Sequence, residues 1–284
     1  MERASGVDGF MGKRVAAGLR AVLFLLWIAI AVPLQLVALA IGRGRFFMPR
    51  LFHRICTHIV GLKVETRGSP CVGQGPVLFV SNHCSYLDIT VLGSLIEGSF
   101  IAKSEVSGWP LFGFLAKMQQ TVFIERRNRA SAGKQADDMK ARLESGDSLI
   151  LFPEGTSSDG NRTLPFKTAL FAVAGLKVDD KPILVQPVSL TATRLDGVPM
   201  GLIDRPLYAW YGDMDLAPHL WRIFGAGVVT VEVEFHPPVS LATLPNRKAL
   251  ADHCWREVAG GVSRALAGRG SPPSAARGFA AAEG

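Results

Sequence analysis

Only four cysteines occur in the chain, at 56, 71, 84 and 254, and no two stand in a Cys-x-x-Cys spacing. That scarcity excludes a disulfide-stapled scaffold and fits a reducing compartment. No Gly-x-Ser-x-Gly elbow is present, so the strand–turn–helix serine nucleophile common among hydrolases is missing. His53 and His58 flank Cys56, but no further ligand cluster stands nearby and the spacing fits no common metal site. Satisfied or exposed histidines are the simpler reading. Nothing resembles a nucleic-acid-binding motif, so the formal charge of +7 has to be explained otherwise.

What is present is unevenly distributed. Residues 1–67 hold ten Lys/Arg against three Asp/Glu, leaving 21 against 21 in the remainder, so the whole positive excess sits in the N-terminal quarter. Within that quarter Ala21 to Ile41 runs for 21 residues without a charge. At about 1.5 Å per residue such a helix can cross the hydrocarbon of a bilayer. Basic flanks beside an apolar run suit an anionic membrane surface. Pro33 can instead break the run into a re-entrant hairpin. A cleaved signal peptide is a third reading, with Lys13-Arg14 before the run and Ala38-Leu39-Ala40 as a cleavage-site mimic. The run is long for a signal core and lacks a polar end, which argues against cleavage. Positive residues on both flanks give no clean orientation. Beyond it, Phe47, Leu51, Ile55, Ile59 and Leu62 recur at helical spacing and predict an amphipathic interfacial helix.

The stretch that organises the rest is Ser81-Asn82-His83-Cys84-Ser85-Tyr86-Leu87-Asp88. The apolar Val77-Leu78-Phe79-Val80 before it reads as a buried strand, and Ser81 or Asn82 can cap a helix after it. Positions i and i+5 diverge by about 140° on a regular helix, so His83 and Asp88 meet only if the histidine lies in the loop and the aspartate in the helix's first turns. If they meet, Asp88 fixes the imidazole tautomer and the other ring nitrogen can take a proton from a hydroxyl. Such a pair needs no protein nucleophile when the substrate's leaving group is already good. The competing reading is a surface histidine and a helix cap. A Cys84 thiol nucleophile is disfavoured, because neighbouring side chains usually diverge.

A second motif, Phe152-Pro153-Glu154-Gly155-Thr156-Ser157, follows another strand-like run, Ser148 to Leu151. Together the two motifs resemble the glycerolipid acyltransferase family, of the lysophosphatidate acyltransferase type. Phe100 to Glu105, Trp109 to Gly113 and Val122 to Arg126 are similar to that family's second block, and Val185-Gln186-Pro187-Val188 to its fourth. The resemblance covers roughly residues 75 to 190. It implies that His83 is the catalytic base and Asp88 its orienter. It further implies that Arg126 and the Glu154-Gly155-Thr156 turn hold the acceptor's phosphate, with Lys103 as a weaker contributor. A guanidinium forks onto phosphate oxygens, and a glycine turn can aim amides at an anion. Glu154 would orient Arg126 or the acceptor. One departure stands out: family members often carry a basic residue after Gly-Thr, where this chain has Ser157, Ser158 and Asp159. Arg162 or Lys167 can substitute, or the acceptor's head group differs from a simple phosphate monoester.

The resemblance implies no metal and no cofactor, with acyl-CoA or acyl-carrier protein as co-substrate, and membrane lipids and a lysophospholipid acceptor as partners. The implied place is the inner membrane, with the site at the cytoplasmic face. The leading expectation is acylation of 1-acylglycerol 3-phosphate to phosphatidate, and the alternative is another lysolipid such as lyso-ornithine lipid. Tyr208 to Asp215 is similar to a stretch in the branch of the family that acylates phosphatidate precursors and, in some bacteria, lyso-ornithine lipids. An aromatic-rich loop resting on the membrane or the sheet explains it equally well. A lipid hydrolase and a non-catalytic membrane scaffold are the rivals from other classes.

Alternating strand and helix signals give an α/β fold, a mixed central sheet flanked by helices, with an N-terminal membrane-embedded helical segment. Ser131 can cap a helix to Glu144, Lys167 to Gly175 reads as a short helix, and Val228 to Phe235 as an edge or half-exposed strand. Asn246 caps a last helix whose Leu250, Cys254, Val258, Val262 and Leu266 recur every fourth residue. The expected division is a basic anchoring segment over 1–67, an α/β domain over 68–267 and a disordered tail over 268–284.

Overall fold

The computed structural model describes residues 2–42, 44–71, 73, 75–124, 132–178 and 180–269. Its helices are α1 (Glu2–Ile41), α2 (Phe47–Val60), α3 (Leu87–Leu95), α4 (Phe112–Met118), α5 (Ala132–Glu144), α6 (Leu216–Phe224) and α7 (Arg247–Leu266). The strands are β1 (Leu62–Arg67), β2 (Val77–Ser81), β3 (Gly98–Lys103), β4 (Val122–Ile124), β5 (Ser148–Leu151), β6 (Lys177–Val178), β7 (Lys181–Pro182), β8 (Leu184–Leu195), β9 (Val198–Pro199) and β10 (Val229–Phe235). The main sheet runs β1-β10-β8-β2-β5-β3-β4, with β9 on β8. From β8 to β4 it is parallel, and β10 joins β8 antiparallel.

Strand β2 is buried on both faces because it is central and parallel, which is why its sequence is an unbroken apolar run. Val77 and Phe79 face one core with Leu87, Val91 and Leu92 of α3. Leu78 and Val80 face the other, with Leu143 of α5, Phe171, and Leu250 and Cys254 of α7. The α7 spacing behaves as expected through Val262, and Asn246 Oδ1 accepts from the Ala249 amide at 3.0 Å. The short element after Lys167 is a 3-10 helix over Thr168–Gly175. Ser131 and residues 270–284 lie outside the described residues.

Strand β10 is not an edge: β1 covers its outer side. Its alternation reflects paired charge, since Glu232 accepts from Arg67 at 3.1 Å and Arg194 at 3.3 Å, and Glu234 accepts from Arg264 at 3.1 Å. Half-buried glutamates with guanidinium partners mimic the pattern of a solvated strand face.

The N-terminal helix also differs from its simplest reading. Pro33 lies inside α1 without breaking it, and a hairpin forms further on, where the chain turns back into α2. Three side chains on one stripe of α1 tie the two helices together antiparallel. Arg20 donates to Val60 O at 3.2 Å, Trp27 Nε1 to Phe52 O at 3.3 Å, and Gln35 Nε2 to Arg45 O at 3.1 Å. The opposite stripe leaves Leu19, Val22, Leu26, Ile30 and Val37 exposed. Over Gly12–Ile41 the helix is long and apolar enough to cross a membrane. Helix α2 turns His53, Cys56, Thr57 and Val60 inward, while Leu51, Ile55 and Ile59 are half-buried. Its packing on α3 and α1 selects the inner face, against the hydrophobic spacing alone.

Candidate active site

The C-terminal ends of β2, β5, β3 and β4 point to one edge of the sheet, because these strands are parallel. Loops leaving that edge are where open α/β sheets gather reactive groups. The β2–α3 loop carries His83, and Asp88 is the second residue of α3, so the five-residue spacing closes through the loop. His83 Nδ1 lies 2.8 Å from Asp88 Oδ2. The same oxygen accepts the amides of Cys84 at 2.7 Å and Ser85 at 2.9 Å, so Asp88 folds its own loop around itself. Neither Ser81 nor Asn82 caps α3. Asn82 instead pins β8, donating to Leu190 O at 2.8 Å and accepting from Leu190 N at 2.9 Å. Asp88 is fully buried and the His83 side chain is 21% exposed. With Nδ1 engaged, Nε2 is the nitrogen available to a substrate.

The β5 loop supports the same histidine from beneath. Phe152 stacks on the His83 ring, with centroids 4.1 Å apart and planes 19° from parallel. Ser158 N donates to His83 O at 2.9 Å, and Glu154 Oε1 accepts from His83 N at 3.3 Å. Glu154 is buried and its Oε2 has no hydrogen-bond partner. Burial pushes its carboxyl up to about 8; the His83 and Leu164 amides oppose that shift and the charge of Asp88 adds to it. Gly155 takes φ +72°, a left-handed conformation that suits glycine at this turn. Thr156 beside it is exposed, and Lys103 is exposed at the end of β3. Ile124 ends β4 at the same sheet edge, but Arg126 lies outside the described residues. Arg162 and Lys167 are both exposed beyond the turn.

Cys84 is poorly suited to be a nucleophile. Its thiol is buried and pushed well above the ordinary range, by burial first and then by the charges of Asp88 and Glu154. The reactive species is the thiolate, which this setting disfavours.

Sequence reasoning missed Tyr208. Its hydroxyl donates to the second Asp88 oxygen, Oδ1, at 2.9 Å, and the residue is 1% exposed. Burial, followed by the charge of Asp88, pushes the phenol well above its ordinary range, so it remains a donor. The rest of that aromatic stretch docks on the histidine loop as well. Trp210 N donates to Cys84 O at 2.7 Å, and the Trp210 ring meets Tyr86 edge-on with centroids 5.9 Å apart. The stretch therefore rests on the site itself. A signal was available: the chain has three tyrosines, one in the first motif and two in this stretch.

Tyr86 also lines an apolar cavity. It holds about 150 Å³ between α1, α2, α3 and α4, with Phe24, Val32, Phe52, Ile89 and Leu115 on its walls. Its lining is predominantly apolar, as the walls of hydrophobic-ligand sites are.

A mixed α/β sheet thus carries a buried carboxylate–histidine pair at the C-terminal edge of its parallel strands, close to an apolar cavity. The chain belongs to the acyltransferase family, whose sequence profile matches residues 63–191. It is 43% identical to the lyso-ornithine lipid O-acyltransferase of Brucella abortus over 245 residues, 85% of this chain and 91% of that one. Identity to the Rhizobium meliloti protein of the same name is 38% over 88% of this chain and 86% of that one. A 1-acyl-sn-glycerol-3-phosphate acyltransferase of Neisseria gonorrhoeae is 35% identical over 68% of this chain and 71% of that one. The fold is that of the crystal structure of the 1-acyl-sn-glycerophosphate (LPA) acyltransferase PlsC from Thermotoga maritima. The TM-score is 0.67 at 20% identity, covering 94% of this chain and 99% of that one. The chain is a lysolipid O-acyltransferase with an N-terminal helix long and apolar enough to cross a membrane.

Proposed function

We propose that the acceptor is a lyso-ornithine lipid, acylated on its free hydroxyl by an acyl-CoA or acyl-carrier-protein thioester at the cytoplasmic face of the inner membrane. The observation that carries this reading is the gradient of similarity. Identity is 43% over 85% of the chain to a lyso-ornithine lipid enzyme, and 35% over 68% to a 1-acylglycerol-3-phosphate enzyme. The charge around the glycine turn agrees. Where a basic residue would meet a phosphate, this chain places Ser157 and Asp159. Burial alone would raise the Asp159 carboxyl, but hydrogen bonds from Asn161 and the nearby Arg162 outweigh it and hold it below the usual carboxylate value. An anion beside an exposed Arg162 suits a head group with both an ammonium and a carboxylate, as ornithine has, better than a phosphate monoester.

In this mechanism His83 Nε2 takes the proton from the acceptor hydroxyl as its oxygen attacks the thioester carbonyl. Asp88, held by two amides and Tyr208, keeps the imidazole in the Nδ1–H tautomer and stabilises the imidazolium. Collapse of the tetrahedral intermediate forms the ester and expels the thiolate, which recovers the proton from His83. Arg126, Lys103 and the Glu154-Gly155-Thr156 turn hold the head group, and the apolar cavity holds a fatty chain beside Tyr86. Fixing both substrates replaces a bimolecular encounter with a near-intramolecular one.

The test is direct competition of the two acceptors with the purified protein in mixed micelles. Ornithine lipid should form at least ten times faster than phosphatidate. The reverse ratio would restore phosphatidate synthesis, the second reading, which the Neisseria relative favours.

A further inference from the structure

The end of the molecule at which His83 lies carries an apolar surface that the transfer chemistry does not use. Ser81, the last residue of β2, pairs with Val188, and β8 continues to Leu195. At about 3.3 Å per residue that extension carries β8 roughly 20 Å past the end of β2. There the chain reverses through Asp196 and Gly197 into β9, where Val198 is 67% exposed. It then closes a turn over residues 201–204, whose inner pair, Leu202 and Ile203, is 68% and 92% exposed. The turn is braced from within. Asp204 N donates to Gly201 O at 3.2 Å, and Asp204 Oδ2 accepts from Gly201 N at 3.0 Å. Arg205 gives Nη2 to Met200 O at 3.3 Å and Nη1 to Asn161 Oδ1. A hydrogen-bonded backbone that presents adjacent leucine and isoleucine side chains to water calls for an occupant.

The neighbours of this turn say what the occupant is. Leu195 pairs with Val229, and Val229 with Leu62, so the starts of β10 and β1 lie in line with the end of β8. Helix α1 joins them there: Arg20 donates to Val60 O and Ala226 O, and a Cβ on Gly225 would stand 3.1 Å from Lys13 O. Asp196 N in turn donates to Val228 O at 2.8 Å. Along this connected row the exposed apolar side chains are Val15 and Leu19 of α1, Val228, and then Val198, Leu202 and Ile203. The apolar surface of the helix long enough to cross a membrane and that of the turn therefore meet at one end of the molecule. The acids of the turn are engaged by backbone, Asp204 as above and Asp196 Oδ1 with Val228 N at 2.7 Å. Lys13, Lys63 and Arg222 are exposed at the same end, Lys63 also pairing with Glu65 at 2.8 Å. Apolar side chains ringed by cations fit an anionic lipid surface. A lysolipid acceptor and its diacyl product also keep their chains in such a surface, so the edge that carries His83 has to meet it.

We propose that the turn over residues 198–203 is a second lipid-binding element, in which Leu202 and Ile203 enter the acyl-chain boundary of the bilayer and hold the His83 edge against it. Tyr208 follows the turn closely and donates to Asp88, so the element is continuous with the segment that closes the His83–Asp88 pair. The proposal holds for any lysolipid acceptor. It rests on α1 lying in lipid, which the experiment reads separately.

The full chain carries one engineered cysteine at a time in a Cys71→Ser background, the other three native thiols being buried. Each cysteine takes an environment-sensitive dye, and the protein is reconstituted into vesicles of phosphatidylethanolamine and phosphatidylglycerol, with or without a nitroxide quencher on the lipid acyl chain. The sites are Ile203→Cys, Leu26→Cys on the exposed stripe of α1, and Asp252→Cys on α7, across the sheet from α1. The dyes at 203 and 26 should be quenched and the dye at 252 should not. Quenching at 26 without quenching at 203 overturns the lipid-binding turn and leaves α1 in the membrane; quenching at neither overturns both. A dye at 203 that is shielded from water yet unquenched assigns the turn to a second copy of the chain, and equal quenching at all three sites removes any special role for it. Either result overturns the proposal. Joint Leu202→Asp and Ile203→Asp substitution should lower transfer to a vesicle-embedded lysolipid about tenfold, and transfer to a short-chain lysolipid dissolved as monomers by no more than about twofold. Unchanged transfer in vesicles, or an equal loss on both acceptors, overturns it as well.

Discussion

Tyr208 and Asp88 are 120 residues apart in sequence, and the hydroxyl of one donates to the carboxylate of the other at 2.9 Å. Asp88 Oδ2 is shared by the histidine and two amides, while Oδ1 has Tyr208 and only the weak, 3.7 Å contact of the Cys84 thiol. The His83–Asp88 pair is thus closed by a segment that follows β9 in the chain.

Removing that hydroxyl leaves a buried carboxylate oxygen nearly unpaired. Tyr208→Phe should lower stability by about 2 kcal/mol, the scale of a hydrogen bond to a charged group. Because Tyr208 acts through Asp88, kcat should fall several-fold with little change in KM for the acceptor. Equal kcat in the variant, with the folded fraction measured by thermal unfolding, would remove Tyr208 from the catalytic assembly.

His83→Ala should remain folded and membrane-bound, since the ring is partly exposed and its backbone contacts with Glu154 and Ser158 persist. Acyl transfer should drop by about 10² or more, the contribution of a general base. Near-wild-type turnover would show that another group takes the proton.

Glu154 predicts a dependence of stability on pH. Burial raises its carboxyl in the folded protein to about 8 from the ordinary 4.5, so between those values the folded chain holds a proton that the unfolded chain has released. Stability from this group is complete below about pH 4.5 and declines as pH rises through 8, at no more than about 1.4 kcal/mol per pH unit. Thermal unfolding between pH 5 and 8 should follow that slope. Glu154→Gln keeps the acceptor for His83 N and should flatten it; an identical slope in the variant would assign the titration to another group.

Arg20 fastens the apolar helix to the catalytic domain. Its Nη1 donates to Val60 O at 3.2 Å, Phe224 O at 3.1 Å and Ala226 O at 2.8 Å, two of which close the ends of α2 and α6. Arg20→Met preserves the apolar stem but leaves these carbonyls without a donor, and should cost about 2–3 kcal/mol. Limited proteolysis should then cut between α1 and the domain faster than in the wild type. Unchanged protection would mean that the packing of Phe24 and Trp27 suffices.

Much of this was legible in the chain itself. The unbroken Val77–Val80 run marked a central strand because burial on both faces removes any reason for alternation. The His83–Asp88 spacing allowed a meeting only across a loop and a first helical turn, which is the arrangement found, and the charge-free run after Arg20 announced a helix of membrane-spanning length. These features depend on residues close together in sequence, where period, spacing and capping act directly.

The tertiary structure decided what depends on distant partners. Asp88 acquired Tyr208, and the glutamates of β10 turned out to face arginines rather than water. The hairpin formed after α1 instead of at Pro33, because Arg20, Trp27 and Gln35 bind carbonyls of α2 and its flank. His53, read from sequence as a satisfied or exposed histidine, is buried and has its partner in Gln119, 66 residues on, at 2.7 Å. Pairing across tens or hundreds of residues leaves no periodic trace in a single sequence, since either partner alone has an adequate local explanation.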